Sequence, residues 1–224
     1  MQRGRGLVPG GNGPPVARIL PSSVLPDRRL MSRIPVLVPR MPATEHLVPY
    51  LRRIDESRAY TNFGPLSAAF EARVVAEVAP TLTVEHVASV ANCTTGLELA
   101  LQACGLKAGA RVLIPAVSFV ATASAVTRMG MLPVIADVDP ATWCLTPAIA
   151  ERSLTTTPFD AVMPVATFGR PQEVDAWDAF TAQYGCPVII DAAGAFGNQG
   201  VGRTTDVVFS FHATKTLGSG EGGA

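Results

Sequence analysis

The feature that most constrains this chain is an alternation, from Glu85 onward, of short apolar runs with segments of helical spacing. This rhythm is typical of strand–helix–strand units around a parallel sheet, because parallel neighbours need a long crossover connection. The run Val188-Ile189-Ile190 is continuously apolar, as expected of a strand that is buried on both faces. The sequence therefore predicts an α/β fold with a mostly parallel sheet.

The same patterns give approximate boundaries. One helix is expected where Leu97, Ala100, Leu101 and Cys104 recur at helical spacing, and Gly105 is expected to end it. Strands are predicted at 87–91, 111–114, 133–138, 161–165, 187–191 and 207–211, and helices at 120–128, 146–153 and 174–184.

The start of the chain differs from the rest. It is rich in Arg, Gly and Pro, and its first acidic residue is Asp27. Such a segment cannot bury enough apolar surface to fold, so we predict a disordered tail over 1–40 and a folded region over 41–224. A start codon assigned too early would explain the tail equally well.

Composition argues against several classes of protein. Eighteen basic and eighteen acidic residues balance, whereas a nucleic-acid binder usually has a basic excess. The sequence has neither the roughly 18 apolar residues of a membrane span nor the apolar stretch of a secretory signal. The four cysteines show no metal-ligand spacing, which is typical of free thiols in a reducing compartment. We expect a cytoplasmic protein with no membrane, nucleic-acid or metal partner.

Asp191 is the first candidate functional residue. It directly follows a buried apolar run, where an unpaired carboxylate is costly, so a cationic partner is expected. A protonated pyridine nitrogen of a cofactor would serve. Capping of a helix that begins after Asp191 is an equally good interpretation.

Lys215 is the second candidate. A lysine close to a strand end, among small and apolar residues, can be a neutral nucleophile that bonds to a cofactor, although most lysines are simply solvated. Ser210 precedes it and a glycine-rich segment, 218–223, follows it. Hydroxyl and backbone N–H groups of this kind can hold a phosphate.

Three further residues could contact the same ligand. Thr94 and Thr95 open a predicted helix, where free N–H groups and hydroxyls form an anion site. An ordinary threonine N-cap is the alternative. Phe119, at a predicted strand end, could stack on a flat ring or could belong to the core.

Seven segments, in this order, resemble a known family. Together they span about residues 45–224, and their order is far more specific than any one of them. The segments are 61–65, 92–97, 115–122, 133–139, 168–171, 191–193 and 210–215 with 220–223. The chain is identified by them as a member of the DegT/DnrJ/StrS sugar aminotransferases.

The resemblance implies a fold and a set of roles. The fold would be the three-layer α/β/α large domain of fold type I pyridoxal-phosphate (PLP) transferases, without the small C-terminal domain. Lys215 would hold PLP and later move a proton, and Asp191 would pair with its pyridine nitrogen. Thr94, Thr95 and Ser210 would hold the phosphate, Phe119 would stack on the ring, and Asn62, Gly64 and Pro65 would border the substrate site.

The implied reaction is amino transfer from a donor such as glutamate to a keto group of a nucleotide-linked sugar, as in amino-sugar biosynthesis. Relatives that dehydrate sugars lack the lysine that is present here. The resemblance also implies a homodimer for the longer parent protein. The alternative is a catalytically inactive fragment or a PLP-binding regulatory protein of the same family.

Four departures from the family pattern affect these expectations. Gly194 and Phe196 stand where Gln and His are frequent, and Cys93 stands where Gly is frequent, which would be costly if that turn needed a positive φ. The sequence stops at Ala224, where relatives continue into a small domain. We therefore expect an uncovered apolar surface and poor solubility of the isolated chain.

Overall fold

The structure is a computed structural model that describes residues 37–61 and 63–224. The tail prediction for residues 1–36 and the predicted substrate residue Asn62 lie outside the described residues. Residues 37–40 form no regular structure and are exposed. No helix in the described ranges is long and apolar enough to cross a membrane.

The strands form a mostly parallel sheet. They are β1 Arg111–Pro115, β2 Leu132–Ala136, β3 Ala161–Val162, β4 Ile189–Asp191 and β5 Asp206–Val208. Parallel ladders join β2, β1 and β3 in that order, and join β4 to β5. Isolated parallel bridges from Val162 to Val188 and from Val165 to Asp191 connect the two groups, so the spatial order is β2-β1-β3-β4-β5.

Six α-helices accompany these strands within the described residues. They are α1 Thr44–Ser57, α2 Pro65–Val78, α3 Cys93–Ala103, α4 Val120–Arg128, α5 Pro147–Thr156 and α6 Val174–Tyr184. Short 3-10 turns occur at Val84–His86 and Thr167–Gly169.

The central strands of the sheet, β1, β3 and β4, are buried on both faces. Along β1, Leu113 belongs to one apolar cluster, together with Trp177 of α6, whereas Val112 belongs to a second cluster, with Leu97 of α3 and Val126 of α4. Successive strand residues point to opposite faces, so the two clusters are the two helix–sheet layers of one three-layer core. This confirms the predicted α/β/α architecture.

The predicted boundaries agree best for helices. The helices predicted at 120–128 and 174–184 have the observed bounds of α4 and α6. The predicted strand at 87–91 is wrong, since only Val90 forms a bridge, to Gly223. Its neighbouring segment contains Gly220 and Gly222 at positive φ, and this backbone does not continue a regular ladder.

Several large apolar side chains lie on the surface. Helix α1 has no buried residue and exposes Leu47, Tyr50 and Leu51. Phe63 and Phe168 are 95% and 88% exposed. This agrees with the expected uncovered apolar surface, while poor solubility stays a prediction.

Candidate functional site

The predicted cofactor residues lie at or near the carboxyl edge of the sheet. Asp191 is the last residue of β4, and Phe119 lies four positions after the end of β1. Ser210 follows β5 by two positions, and the turn after it carries Lys215. In open α/β sheets, ligands bind at this edge because the connecting loops meet there.

Asp191 is a buried carboxylate with incomplete pairing. It is 4% exposed, and it accepts hydrogen bonds from Thr122 Oγ1 (2.6 Å, to Oδ2) and from the Ala193 N–H (3.2 Å, to Oδ1). Among residues 37–61 and 63–224, no basic nitrogen lies within 4.0 Å of it. Burial raises the pKa of Asp191, although the Thr122 and Ala193 bonds and the charge of Lys215 act to lower it.

The helix-capping alternative for Asp191 is wrong. Its bond from the Ala193 N–H closes a local turn, and no helix begins between β4 and β5. A buried carboxylate that caps nothing and has no cation beside it fits a cationic ligand atom, such as the protonated ring nitrogen of a pyridine.

Lys215 lies in the turn between Ser210 and the glycine-rich end of the chain. Its N–H donates to the His212 carbonyl (2.9 Å), and its side chain is half-buried. In the described part of the chain, no carboxylate lies within 4.0 Å of its ammonium group. Burial raises the pKa of both Asp191 and the Cys93 thiol, and the positive charge of Lys215 acts against this rise at both groups. The three groups therefore share one electrostatic environment.

The helix that carries the two threonines is capped by a different residue. The Asn92 side chain accepts the Thr95 N–H (3.0 Å), so the threonine N-cap alternative is wrong. In the described ranges, neither threonine hydroxyl has a protein hydrogen-bond partner. Cys93, the first residue of α3, lies 3.9 Å from Asp191 Oδ1, which brings this helix start to the same edge.

Ser210 and Phe119 differ in exposure. Ser210 is buried, and its Oγ accepts the His212 N–H (3.3 Å). Phe119 precedes α4 and is 74% exposed, so the alternative that it belongs to the core is wrong. An exposed ring beside the carboxyl end of β1 is available to stack on a flat ligand.

The predicted substrate residues lie apart from this group. Gly64 precedes α2 and Pro65 is its first residue. Both line a small concavity with Ile54 and Tyr60, and none of the cofactor candidates lines it. The structure thus does not join Gly64 and Pro65 to Asp191 and Lys215.

Two of the departures have simple structural explanations. Cys93 begins a helix and is absent from the residues with positive φ, so the expected backbone strain there is wrong. Phe196 packs edge-on against Phe209 and Phe211, with ring centroids 5.4 and 5.2 Å apart, and replaces a polar group by core packing.

Gly194 is not required by its own backbone, since its φ is not positive and a Cβ there would meet only ordinary contacts at 3.5 Å. Its neighbour Gly169 has a φ of +83°, and a Cβ there would come within 2.9 Å of the Gly194 carbonyl. The close approach of these two loops therefore needs glycine at 169.

Sequence reasoning placed Ser118 at the ligand edge without a role and missed Thr122 as a member of the site. Thr122 is fully buried, and its hydroxyl bonds both to Asp191 and to Ser118 Oγ (2.5 Å). A polar residue in the first turn of the predicted helix that follows a strand was the available signal.

Comparison with known proteins identifies the family. The model of the DegT/DnrJ/EryC1/StrS aminotransferase family matches residues 43–224. An L-glutamine:2-deoxy-scyllo-inosose aminotransferase of Streptoalloteichus tenebrarius is 35% identical over 181 residues, which cover 78% of this chain and 42% of the relative. A dTDP-4-amino-4,6-dideoxy-D-glucose transaminase of Shigella dysenteriae is 36% identical, over 84% of this chain and 51% of the relative.

A solved structure from Bacillus cereus, assigned to the PLP-dependent aminotransferases, has a TM-score of 0.77 and 30% identity, and the match covers 86% of this chain and 54% of that one. The chain thus spans about half the length of the relatives it matches. The predicted family, fold class and cofactor, PLP, are confirmed. The chain belongs to the DegT/DnrJ/EryC1/StrS aminotransferase family.

Proposed function

We propose that this chain is the cofactor-binding region of a PLP-dependent aminotransferase, in which Lys215 holds PLP covalently and Asp191 pairs with its ring nitrogen. The observation that carries the proposal is the Asp191 carboxylate, which is buried at the carboxyl edge of the sheet and, within residues 37–61 and 63–224, has no basic nitrogen within 4.0 Å. PLP, when bound, would supply an electron sink that stabilises the negative charge left at the α-carbon of the amino donor when its proton is removed.

Lys215 is assigned two tasks at one atom, Nζ. In the part of the chain that is described, Lys215 is half-buried and no carboxylate lies within 4.0 Å of Nζ, so no ion pair holds this nitrogen away from a bond to the cofactor. The same nitrogen, once released, is the base that moves a proton at the α-carbon of the amino donor.

The remaining residues hold and orient the cofactor. The hydroxyls of Thr94 and Thr95, at the N-terminus of α3, and of Ser210 are the groups we assign to the phosphate. Phe119, exposed after β1, is assigned to the face of the ring. Asn62, Gly64 and Pro65 remain proposed substrate contacts by resemblance alone.

For the substrate, we propose a keto group on a sugar or a sugar-like ring, with an amino acid as donor. A nucleotide-linked sugar is the first choice, since one relative is a dTDP-sugar transaminase. A cyclitol ketone is the second choice, favoured by relatives that are L-glutamine:inosose aminotransferases. We further propose a homodimer in the longer protein and a cytoplasmic location.

The test is amine formation by the purified chain with PLP. The donor is L-glutamine or L-glutamate, and the acceptor is either 2-deoxy-scyllo-inosose or the ketone that corresponds to dTDP-4-amino-4,6-dideoxy-D-glucose. We expect an amine product, detected by mass spectrometry, from the wild type and from Lys107→Arg but not from Lys215→Arg. PLP bound at Lys215 with no amine from either ketone would contradict amino transfer.

A further inference from the structure

We propose that Thr122, supported by Ser118, is a positioning residue that fixes the orientation of the Asp191 carboxylate and favours its ionised form. The inference rests on the proposed function, because the ionised carboxylate is the form that pairs with a protonated ring nitrogen. Neither residue is assigned to touch the cofactor. Both act through Asp191.

The contacts of Asp191 single out Thr122. Thr122 has no exposed surface, and its Oγ1 lies 2.6 Å from Asp191 Oδ2. The other carboxylate oxygen, Oδ1, receives the Ala193 N–H at 3.2 Å and faces the Cys93 sulfur at 3.9 Å, and a thiol is a weak donor. Thr122 therefore makes the shortest hydrogen bond to this carboxylate, and a bond to an ionised acceptor is stronger than a neutral one.

The number of hydroxyl hydrogens determines which way the hydrogen bond between Ser118 and Thr122 runs. Each hydroxyl has one hydrogen, so a Thr122 that donates to ionised Asp191 can only accept from Ser118, whose Oγ lies 2.5 Å away. If Asp191 is protonated, the direction reverses: Asp191 donates to Thr122, Thr122 to Ser118, and Ser118 to the Phe119 carbonyl at 3.0 Å. The donation from Ser118 to Thr122 thus accompanies the ionised form, in which the Thr122 hydroxyl has a charged acceptor and makes the stronger bond.

Few side chains around Asp191 can favour its ionised form. Burial favours the neutral carboxyl. Cys93, from α3, is an uncharged thiol because burial raises its pKa. Lys215, from the turn after β5, is the cation whose charge favours the ionised form. Lys215 Nζ lies more than 4.0 Å from the Asp191 carboxylate and makes no hydrogen bond to it, whereas Thr122 does.

The test compares Thr122→Val, which keeps the shape but removes the hydroxyl, with Thr122→Ser, which keeps the hydroxyl. The matched control is Thr127→Val, since Thr127 lies on the same helix and bonds only to the Ser124 carbonyl. The readout is the dissociation constant of PLP, measured by absorbance across a range of pH. We expect Thr122→Val to weaken binding about tenfold, Thr122→Ser to restore most of it, and Thr127→Val to change nothing.

A second readout needs no cofactor. The carbon-13 NMR titration of the Asp191 carboxyl in PLP-free protein should show a higher pKa in Thr122→Val than in the wild type. Ser118→Ala, at an exposed position, should shift the pKa in the same direction by a smaller amount, and it serves if Thr122→Val does not fold. An unchanged pKa in these variants overturns the inference, whether or not PLP binds.

A wild type that fails to bind PLP at Lys215 contradicts the proposed function instead. If Thr122→Val only melts at a lower temperature, with an unchanged Asp191 pKa and PLP affinity, then Thr122 has a purely structural role. These outcomes separate the two proposals.

Discussion

Two aspartates of this chain, Asp178 and Asp191, differ in both burial and pairing, since Asp178 is partly exposed and Asp191 is buried. Asp178, on α6, accepts five hydrogen bonds from one loop. They come from Arg203 N (2.7 Å), Thr204 N (3.2 Å) and Oγ1 (3.0 Å), and Thr205 N (3.0 Å) and Oγ1 (2.7 Å). Asp191 is more deeply buried and receives only Thr122, Ala193 and a weak thiol contact.

The pKa shifts of the two carboxyls have opposite signs. At Asp178, burial raises the pKa, but the hydrogen bonds from Arg203, Thr205 and Thr204 outweigh it and lower the pKa to about 2. At Asp191, burial dominates and the pKa is raised. The fold thus satisfies one carboxylate with its own donors, and we propose that the other is left for a ligand to satisfy.

The largest expected effect is that of Asp191→Asn. It should weaken PLP binding by about 2–5 kcal/mol, since one partner of a buried charge pair is lost. In PLP-free protein it should raise the melting temperature at neutral pH, because it removes a buried carboxylate without a cation. Calorimetry and a PLP titration check both expectations, with Asp175→Asn, at an exposed position, as the control. Lower stability combined with normal PLP affinity would contradict the comparison.

Asp178→Ala should have the reverse profile. The loop donors lose their shared acceptor, so the free energy of unfolding should fall by about 2 kcal/mol, a modest value because water can replace some of these bonds. The PLP affinity of the folded protein should not change. Urea unfolding measures this loss, and Asp175→Ala, one turn earlier on α6, is the control. Equal losses in the two variants would show that the hydrogen bonds from the loop to Asp178 add no measurable stability.

The pH dependence of stability should separate the two residues next. The pKa of Asp178 is lower in the folded state than the roughly 3.9 of an unfolded aspartate, so its contribution is complete above about pH 4 and is lost as the pH falls toward about 2. The pKa of Asp191 is raised, so its effect has the opposite sign: stability is greatest at low pH and declines as the pH rises above about 4. Urea unfolding of Asp178→Asn and Asp191→Asn across pH 2–8 should show these opposite slopes relative to the wild type, below about pH 4 for Asp178 and above it for Asp191, and parallel curves would contradict them.

The smallest effect concerns the reaction rates of two thiols, Cys104 and Cys186. Burial raises the pKa of Cys104 to about 11, with a further contribution from the Asp206 charge, and burial raises the pKa of Cys186 to about 12. Both should react slowly with alkylating reagents near neutral pH and rapidly after unfolding. Peptide mass mapping measures the labelling of each thiol. Rapid labelling of Cys104 or Cys186 in the native protein would contradict this expectation.

The sequence predicted those features that have a local signature. Helices α4 and α6 followed from apolar spacing, and Asp191 stood out as an acid that ends an apolar run. The hydrogen bond from Thr122 to Asp191 joins residues that are 69 positions apart, so no local pattern could reveal it. The strand predicted at 87–91 was wrong because propensity does not show whether a neighbouring segment can pair with it.

The chain has only two lysines, Lys107 and Lys215, which makes one measurement the most direct test of its central residue. PLP is added to the purified chain, the absorption spectrum is recorded, and borohydride reduction is followed by peptide mass mapping. A shifted visible band and a label on Lys215, retained in Lys107→Arg and lost in Lys215→Arg, is the result we predict. Label on Lys107 or the N-terminus alone, with no shifted band, would contradict the assignment of this edge of the sheet as the PLP site.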